Sequence, residues 1–418
     1  MATSKDPVAE RFDSPRPGAN AWALREENVQ ALRQGSITDV KPVVLEFAPT
    51  LDCNQSCSEC PYRQQRGPIS ASPDVMHTVL EKAKSAGVQG VIWTGGGEPT
   101  LWPLLAEGLA FAASHDMVSG LYSNGIRFGE ISDLSDQLLA PQNRLEFVRL
   151  SLNAATEAVA YRFAKASPAM LEHQWKGLHR LVSTRDAIQA KGARATSIQV
   201  SVIVDSNNVQ DLEPICRRAA EAFAKRGFRH PGDAVVIRPL TKHKRTKYGL
   251  HDHDDDVIGQ ILSVAGRAGA GRDLLEKSGA GVYLGFGLDR VDRREANSYA
   301  EVLLDEYGSR DQCWANGLFL TVGPNGSAYL CTDRNCDPAW EIGSLLDHSV
   351  EELLVGEKRS KLLERVHLHR CGQEVCEATC RMPRLHRIAR ALRDGTLTDA
   401  DVEKLRTAAK NDSLLLLS

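Results

Sequence analysis

From residue 43 to residue 240, short β-branched runs alternate with longer stretches whose apolar residues recur at helical spacing. The runs at 43–48, 90–94, 118–122, 147–152, 198–204 and 234–239 read as strands, each a short apolar segment bounded by turn residues. Stretches such as 73–86 and 209–226 read as the helices between them. Regular alternation of strand and helix predicts an α/β fold with a parallel sheet. Six such units are too few to close an eight-stranded barrel. Beyond residue 240 the pattern changes. A basic run at 241–247 and an acidic, histidine-containing run at 251–256 are followed by helical stretches to 307, and residues 318–329 read as a hairpin with Gly326 in its turn. Residues 1–42 hold Pro15 and Pro17, then one helix-like stretch, 21–32, and nothing that suggests chemistry.

The chain has 418 residues, 42% hydrophobic and 25% charged, which is enough for one large domain and a smaller one. A formal net charge of -3 gives no global basic field to recruit nucleic acid or an anionic membrane. No apolar run approaches the ~20 residues of a spanning helix, and the first residues lack the apolar core of a secretory signal. The expectation is a cytoplasmic protein with neither nucleic-acid nor membrane partners.

Nine of the ten cysteines fall in two regions, and a chain of this size does not need disulfides to fold, so metal is the better account of them. Cys216 stands apart at a helical spacing that predicts a small buried apolar residue. In Leu51-Asp-Cys-Asn-Gln-Ser-Cys-Ser-Glu-Cys-Pro61 the thiols of Cys53, Cys57 and Cys60 lie within eight residues, and no histidine stands among them to complete a zinc tetrahedron. Three thiolates can hold three irons of a cubane and leave the fourth open to another ligand. A second strand-like run leads into Trp93-Thr-Gly-Gly-Gly-Glu-Pro-Thr100. Six more thiols, Cys313, Cys331, Cys336, Cys371, Cys376 and Cys380, precede the last helical stretch.

The C-x3-C-x2-C triplet and the glycine segment, in this order over most of the chain, resemble the radical S-adenosylmethionine (SAM) superfamily. The later cysteines, with Gly326-Ser-Ala-Tyr-Leu-Cys331, resemble that family's SPASM/twitch extension. The resemblance implies a partial (βα)6 barrel at 43–245, after an N-terminal extension at 1–42. A helical connector at 246–307, a small cysteine-rich α+β twitch-like domain at 308–385 and a helical tail at 386–418 would follow. It also implies a SAM-binding 4Fe-4S cluster on Cys53, Cys57 and Cys60, with Gly95, Gly96, Gly97 and Glu98 receiving the methionine amino group. Ser123, Asn124, Ser151, Asn153 and Val204, at strand ends, would meet the carboxylate, ribose and adenine, and Arg149 would pair with the carboxylate. Where the family usually has an aromatic residue before the third cysteine this chain has Glu59, so either Tyr62 takes that place or the adenine pocket is lined differently.

The second cysteine field is smaller than a full SPASM domain and implies one auxiliary 4Fe-4S cluster. Cys313 and Cys331 are its firmest ligands, the other two coming from Cys336, Cys371, Cys376 and Cys380. A spare thiol, Cys336 or Cys371 among them, could return hydrogen to a substrate radical. The expected substrate is a small polyol such as a sugar, aminocyclitol or nucleoside, epimerised or dehydrogenated, with electrons from a reductant such as flavodoxin or ferredoxin. The short N-terminal stretch favours this over the alternative, a maturase acting on a ribosomal peptide. A non-catalytic iron–sulfur or zinc scaffold would leave the glycine segment without a purpose. The basic run, with Lys242, Lys244 and Arg245, leaves the end of the sixth strand where a substrate would approach.

Overall fold

All six expected runs form strands: β1 Val44–Phe47, β2 Gly90–Trp93, β3 Val118–Ser123, β4 Leu145–Ser151, β5 Ser197–Val204 and β6 Ala234–Pro239. The computed structural model describes residues 24–58, 60–224, 230, 232–240, 255–285, 288–294, 313, 316–368 and 383–410. β1 to β6 pair side by side in chain order and all in parallel, with Trp93 level with Phe47 on one side and Leu121 on the other. The strands are apolar along most of their length because both faces of a parallel sheet are covered. Leu45, Phe47, Val91 and Trp93 join the large core under the outer helices. Their alternates Val44, Ile92 and Phe147 point the other way, into a second core.

That second core closes the amino ends of the strands. It includes Val29 and Leu32 of the helix Glu26–Arg33 and Ile388 and Leu392 of the helix Pro383–Arg393. The Arg406 guanidinium donates to Leu24 O (2.8 Å), and Arg33 pairs with Asp399 (2.7 Å). Both terminal segments therefore plug one end of the barrel and leave the carboxyl ends of the strands for a site.

The sheet exceeds the six expected strands. In the stretch read as a helical connector, the helices Asp255–Ala265 and Ala270–Ser278 are followed by a seventh parallel strand, β7 Gly281–Leu284, paired to β6. Four residues are too few to show a period of two. The hairpin is present as β8 Phe319–Val322 and β9 Ser327–Tyr329, with Gly326 at φ +79 in its turn. It is not a separate layer, because β8 lies parallel against β1, Val44 opposite Phe319 and Phe47 opposite Val322. β10, Glu341–Ser344, adds antiparallel to β9, giving the order β10-β9-β8-β1-β2-β3-β4-β5-β6-β7. The chain after β9 is thereby brought beside the loop that leaves β1.

One buried ionic network fixes the helix Pro168–Ala190 to β5 and β6. Arg185, 1% exposed, pairs with Asp186 and Asp233 at 2.7 Å each, and Asp233 also accepts the Ile198 N–H at 2.9 Å. Arg185→Ala strands two buried carboxylates, and we expect a loss of about 3–5 kcal/mol in urea unfolding. A loss below about 1 kcal/mol would show the network to be dispensable.

Candidate active site at the carboxyl ends of the strands

The loop leaving β1 is pinched at its neck. Leu51 N donates to Ile69 O (2.8 Å), Ala71 N to Pro49 O (2.8 Å), and the hydroxyls of Thr50 and Ser70 lie 2.8 Å apart. Beyond this neck, the loop bearing Cys53, Cys57 and Cys60 is moored to the end of the helix Glu157–Ala164: Ser58 N donates to Phe163 O (3.0 Å) and Ser56 N to Ala164 O (3.1 Å). The helix's terminal carbonyls, which lack partners within the helix, are satisfied by the cysteine loop. Arg66 curls back over the tip, donating to Cys60 Sγ (3.1 Å) and to Gln55 O. Burial alone would depress the Arg66 guanidinium, but the charges of Cys60, Cys53 and Cys57 hold it above its ordinary value. Burial pushes the Cys53 thiol up to about 11, so it is protonated at neutral pH until a metal displaces the proton.

The three cysteines line one cavity of about 280 Å³. Among the described residues, no three His, Cys, Asp or Glu side chains gather where a single metal ion could sit. Three thiols lining one cavity are the soft donors that iron–sulfur clusters take.

The glycine segment shares that cavity and is locked to the cysteine loop. Gly97 N donates to Thr50 O (3.0 Å) and Glu98 N to Asp52 O (2.7 Å). The glycines are what permits the approach. A Cβ on Gly95, whose φ is +136, would lie 2.1 Å from Ala48 Cβ, and one on Gly97 would lie 2.0 Å from Asp52 O. Glu98, 3% exposed, receives Thr100 N (3.1 Å), Thr100 Oγ1 (2.6 Å) and Ser123 Oγ (2.8 Å) on Oε1. Its Oε2 receives Asn124 N (2.7 Å). Burial raises its pKa despite these donors. A carboxylate oxygen with one donor has a further lone pair for a cation such as an ammonium group.

Of the strand-end residues read from the sequence, Ser123, Asn124, Ser151 and Asn153 line the cavity with the glycines and Glu98. Arg149 and Val204 do not. Arg149 lies one pleat below Ser151, where its guanidinium donates to Gln199 Oε1 (2.9 and 2.7 Å) and to the Tyr122 hydroxyl (3.0 Å). Val204 is fully buried in the outer core, and its neighbour Ile203 faces the cavity, as the two-residue period of a strand requires. Tyr62 also lines the cavity, its hydroxyl donating to Thr332 O (3.1 Å); Glu59 lies outside the described residues.

Sequence reasoning did not single out Arg66, Arg238 and Asp333, which also line the cavity. Arg238 shares a face of β6 with Val236, and its place on a strand end was its only signal. Asp333 arrives with the segment after β9, 270 residues from the cysteine loop along the Tyr62–Thr332 contact, and no local pattern could place it there.

In the second cysteine field, Cys371, Cys376 and Cys380 lie outside the described residues, as do the runs at 241–247 and 251–254. Cys331 Sγ accepts from Asp333 N at 3.4 Å. Cys313 Sγ is 4.0 Å from His386 Nε2. Cys336 is buried with Ala48, Leu51 and Tyr329, at φ +59, and its sulfur lies 3.8 Å from where a Gly96 Cβ would stand. Its thiol donates to Asn335 Oδ1 (3.2 Å). Cys216 is fully buried in the main core, and burial pushes its thiol up to about 12.

No family model and no curated protein matches the sequence. Solved structures do match the fold. Streptococcus suis SuiB gives a TM-score of 0.55 at 13% identity over 78% of this chain and 68% of SuiB. SuiB bound to S-adenosylmethionine gives 0.55 at 14% over 81% and 71%. Native anSMEcpe with bound AdoMet gives 0.50 at 17% over 82% of this chain and 88% of that one. The chain shares the fold of these structures.

Proposed function

We propose that this protein is a radical SAM enzyme whose SAM-binding 4Fe-4S cluster is held by Cys53, Cys57 and Cys60. The observation that carries the reading is the convergence of three thiols, the buried Glu98 carboxylate and a glycine segment hydrogen-bonded to the cysteine loop on one cavity. Such a cluster, when bound, supplies the electron that cleaves SAM and yields a hydrogen-abstracting radical. The chain's own share is to bind, orient and shield. Arg66 offsets thiolate charge beside Cys60. Glu98 Oε2 would accept the methionine ammonium, while Thr100, Ser123 and Asn124 hold that carboxylate in place. Ser151 and Asn153, on the cavity lining, would meet the ribose and adenine, and Phe163 and Tyr62 would exclude water from one wall.

Arg238 and Asp333 put opposite charges on the lining of the same cavity. They suit a small molecule bearing hydroxyl and amine groups, a sugar, aminocyclitol or nucleoside, which is epimerised or dehydrogenated with electrons from a flavodoxin or ferredoxin. A peptide is the second reading. It is favoured by likeness to SuiB bound to the precursor peptide SuiA, and to native anSMEcpe with AdoMet and the Cp18Cys peptide, which matches over 88% of this chain and 99% of that one at a TM-score of 0.50.

Anaerobic protein given SAM and a one-electron reductant is expected to form 5′-deoxyadenosine and methionine. Its absence from protein with full iron and sulfide content would overturn the reading. Mass spectrometry of products from a sugar and aminocyclitol panel, beside a peptide panel, then separates the two substrate classes.

A further inference from the structure

The loop that carries Cys53, Cys57 and Cys60 also sets an arginine against one of those sulfurs, and its backbone holds that arginine in place. Cys60 N donates to Cys57 O (3.4 Å), Arg63 N to Cys60 O (3.3 Å) and Gln65 N to Tyr62 O (3.0 Å), so successive turns lead the chain up to Arg66. On its other side Gly67 N donates to Leu51 O (3.3 Å), at the neck of the loop. Arg66 is therefore pinned through both chain neighbours. Its guanidinium then crosses the loop, Nη1 donating to Gln55 O and Nη2 to Cys60 Sγ at 3.1 Å. Arg66 lines the same cavity as the three cysteines.

The two acceptors of this guanidinium respond differently to a change of charge on sulfur. Gln55 O is a backbone carbonyl, so the bond to it holds the cation in place whether Cys60 is a thiol or a thiolate on iron. Sulfur in a thiol is a weak acceptor, whereas a thiolate receives a charge-assisted hydrogen bond. That bond strengthens as more negative charge reaches the sulfur. Arg66 is half-buried, where solvent screens such an interaction less than at an open surface.

We infer that Arg66, through its hydrogen bond to Cys60 Sγ, raises the reduction potential of the SAM-binding cluster and so brings that cluster within reach of a flavodoxin or ferredoxin donor. This rests on the reading of a 4Fe-4S cluster on Cys53, Cys57 and Cys60. The step concerned is the transfer of one electron from the donor, which is oxidised, to the cluster, which is reduced, and no covalent bond forms or breaks in it. A cubane on thiolates is anionic and more so after reduction, so a fixed cation hydrogen-bonded to a ligand sulfur favours the reduced form. Arg66 is a tuning residue that acts through the cluster.

An electron paramagnetic resonance redox titration of the full chain, anaerobically reconstituted, tests this on the signal that changes when SAM is added. Arg66→Gln, which loses the charge, is expected to make reduction about tenfold less favourable, a move of about 59 mV to more negative potential for one electron. Arg66→Lys keeps the charge and should lie between that variant and wild type. In 5′-deoxyadenosine formation Arg66→Gln should be slow with reduced flavodoxin and recover with titanium(III) citrate, a stronger reductant. Slowness with both would show a loop merely unpinned and overturn the tuning role. Wild type grown on arginine labelled with nitrogen-15 in the guanidinium should show a nitrogen-15 hyperfine coupling to the reduced cluster that is lost in Arg66→Lys, a reading that does not depend on Arg66→Gln folding. An unaltered potential in Arg66→Gln, or no coupling in wild type, would overturn the inference and leave the cluster standing. A wild type without any signal that responds to SAM would overturn the proposed function as well.

Discussion

Replacing Cys53, Cys57 and Cys60 together with alanine is expected to abolish 5′-deoxyadenosine formation and to remove about half of the bound iron. The neck of the cysteine loop is held by Thr50, Ser70, Leu51 and Ala71, and its shoulder by Ser56 and Ser58 on the last carbonyls of a helix, and these anchors do not use a thiol. The fold should therefore survive the loss of all three. Far-UV circular dichroism and the urea midpoint of the variant should match those of cluster-free wild type. The iron that stays should give the auxiliary signal alone, because Cys313 and Cys331 lie on a different part of the chain. Arg66 would then have lost its anionic neighbours and kept its hydrogen bond to Gln55 O. Undiminished SAM cleavage by the triple variant would sink the assignment of the site.

How much of this was legible beforehand depended on how local the signal is. The six strands were readable because each is a contiguous apolar run, and the triplet and glycine segment because each lies within a dozen residues. β7 has only four residues and passed for part of a helical stretch. Arg149 and Val204 were placed near the cofactor because they stand at strand ends, yet one sits a pleat too deep and the other faces the outer core. A strand's two-residue period decides such cases only once its last paired residue is known. Asp333 and Arg238 could not have been joined from sequence, since what brings them to one cavity is the parallel pairing of β8 with β1 and the return of the chain after β9. The same pairing makes the hairpin β8–β9, which leads to Cys331, part of the main sheet.

The glycine segment offers the sharpest separation of structure from chemistry, through Gly97→Ala and Glu98→Gln. A Cβ on Gly97 would meet Asp52 O at 2.0 Å and Leu51 C at 2.7 Å, and both are backbone atoms held by the loop's neck. Neither side can yield cheaply. The segment must move away from residues 51 and 52, breaking the bonds from Gly97 N to Thr50 O and from Glu98 N to Asp52 O. Overpacking of this kind costs about 1–3 kcal/mol, and here it falls on the contact that aligns the cysteine loop. Gly97→Ala is therefore expected to lose both the iron bound by Cys53, Cys57 and Cys60 and SAM cleavage, in a protein that still folds. Gly259→Ala is the matching control: it lies on the exposed face of the helix Asp255–Ala265 with nothing within 4 Å of the new Cβ and should stabilise by about 1 kcal/mol. Glu98→Gln leaves the backbone contact intact and removes only the charge. It also turns an amide toward the Asn124 N–H or toward the donors of Thr100 and Ser123. Loss of one charge-assisted hydrogen bond of about 1.5–3 kcal/mol corresponds to a roughly 10–100-fold weaker SAM affinity with iron content unchanged. If Gly97→Ala retains its iron and Glu98→Gln loses it, the roles of the two neighbours are the reverse of those argued from their contacts.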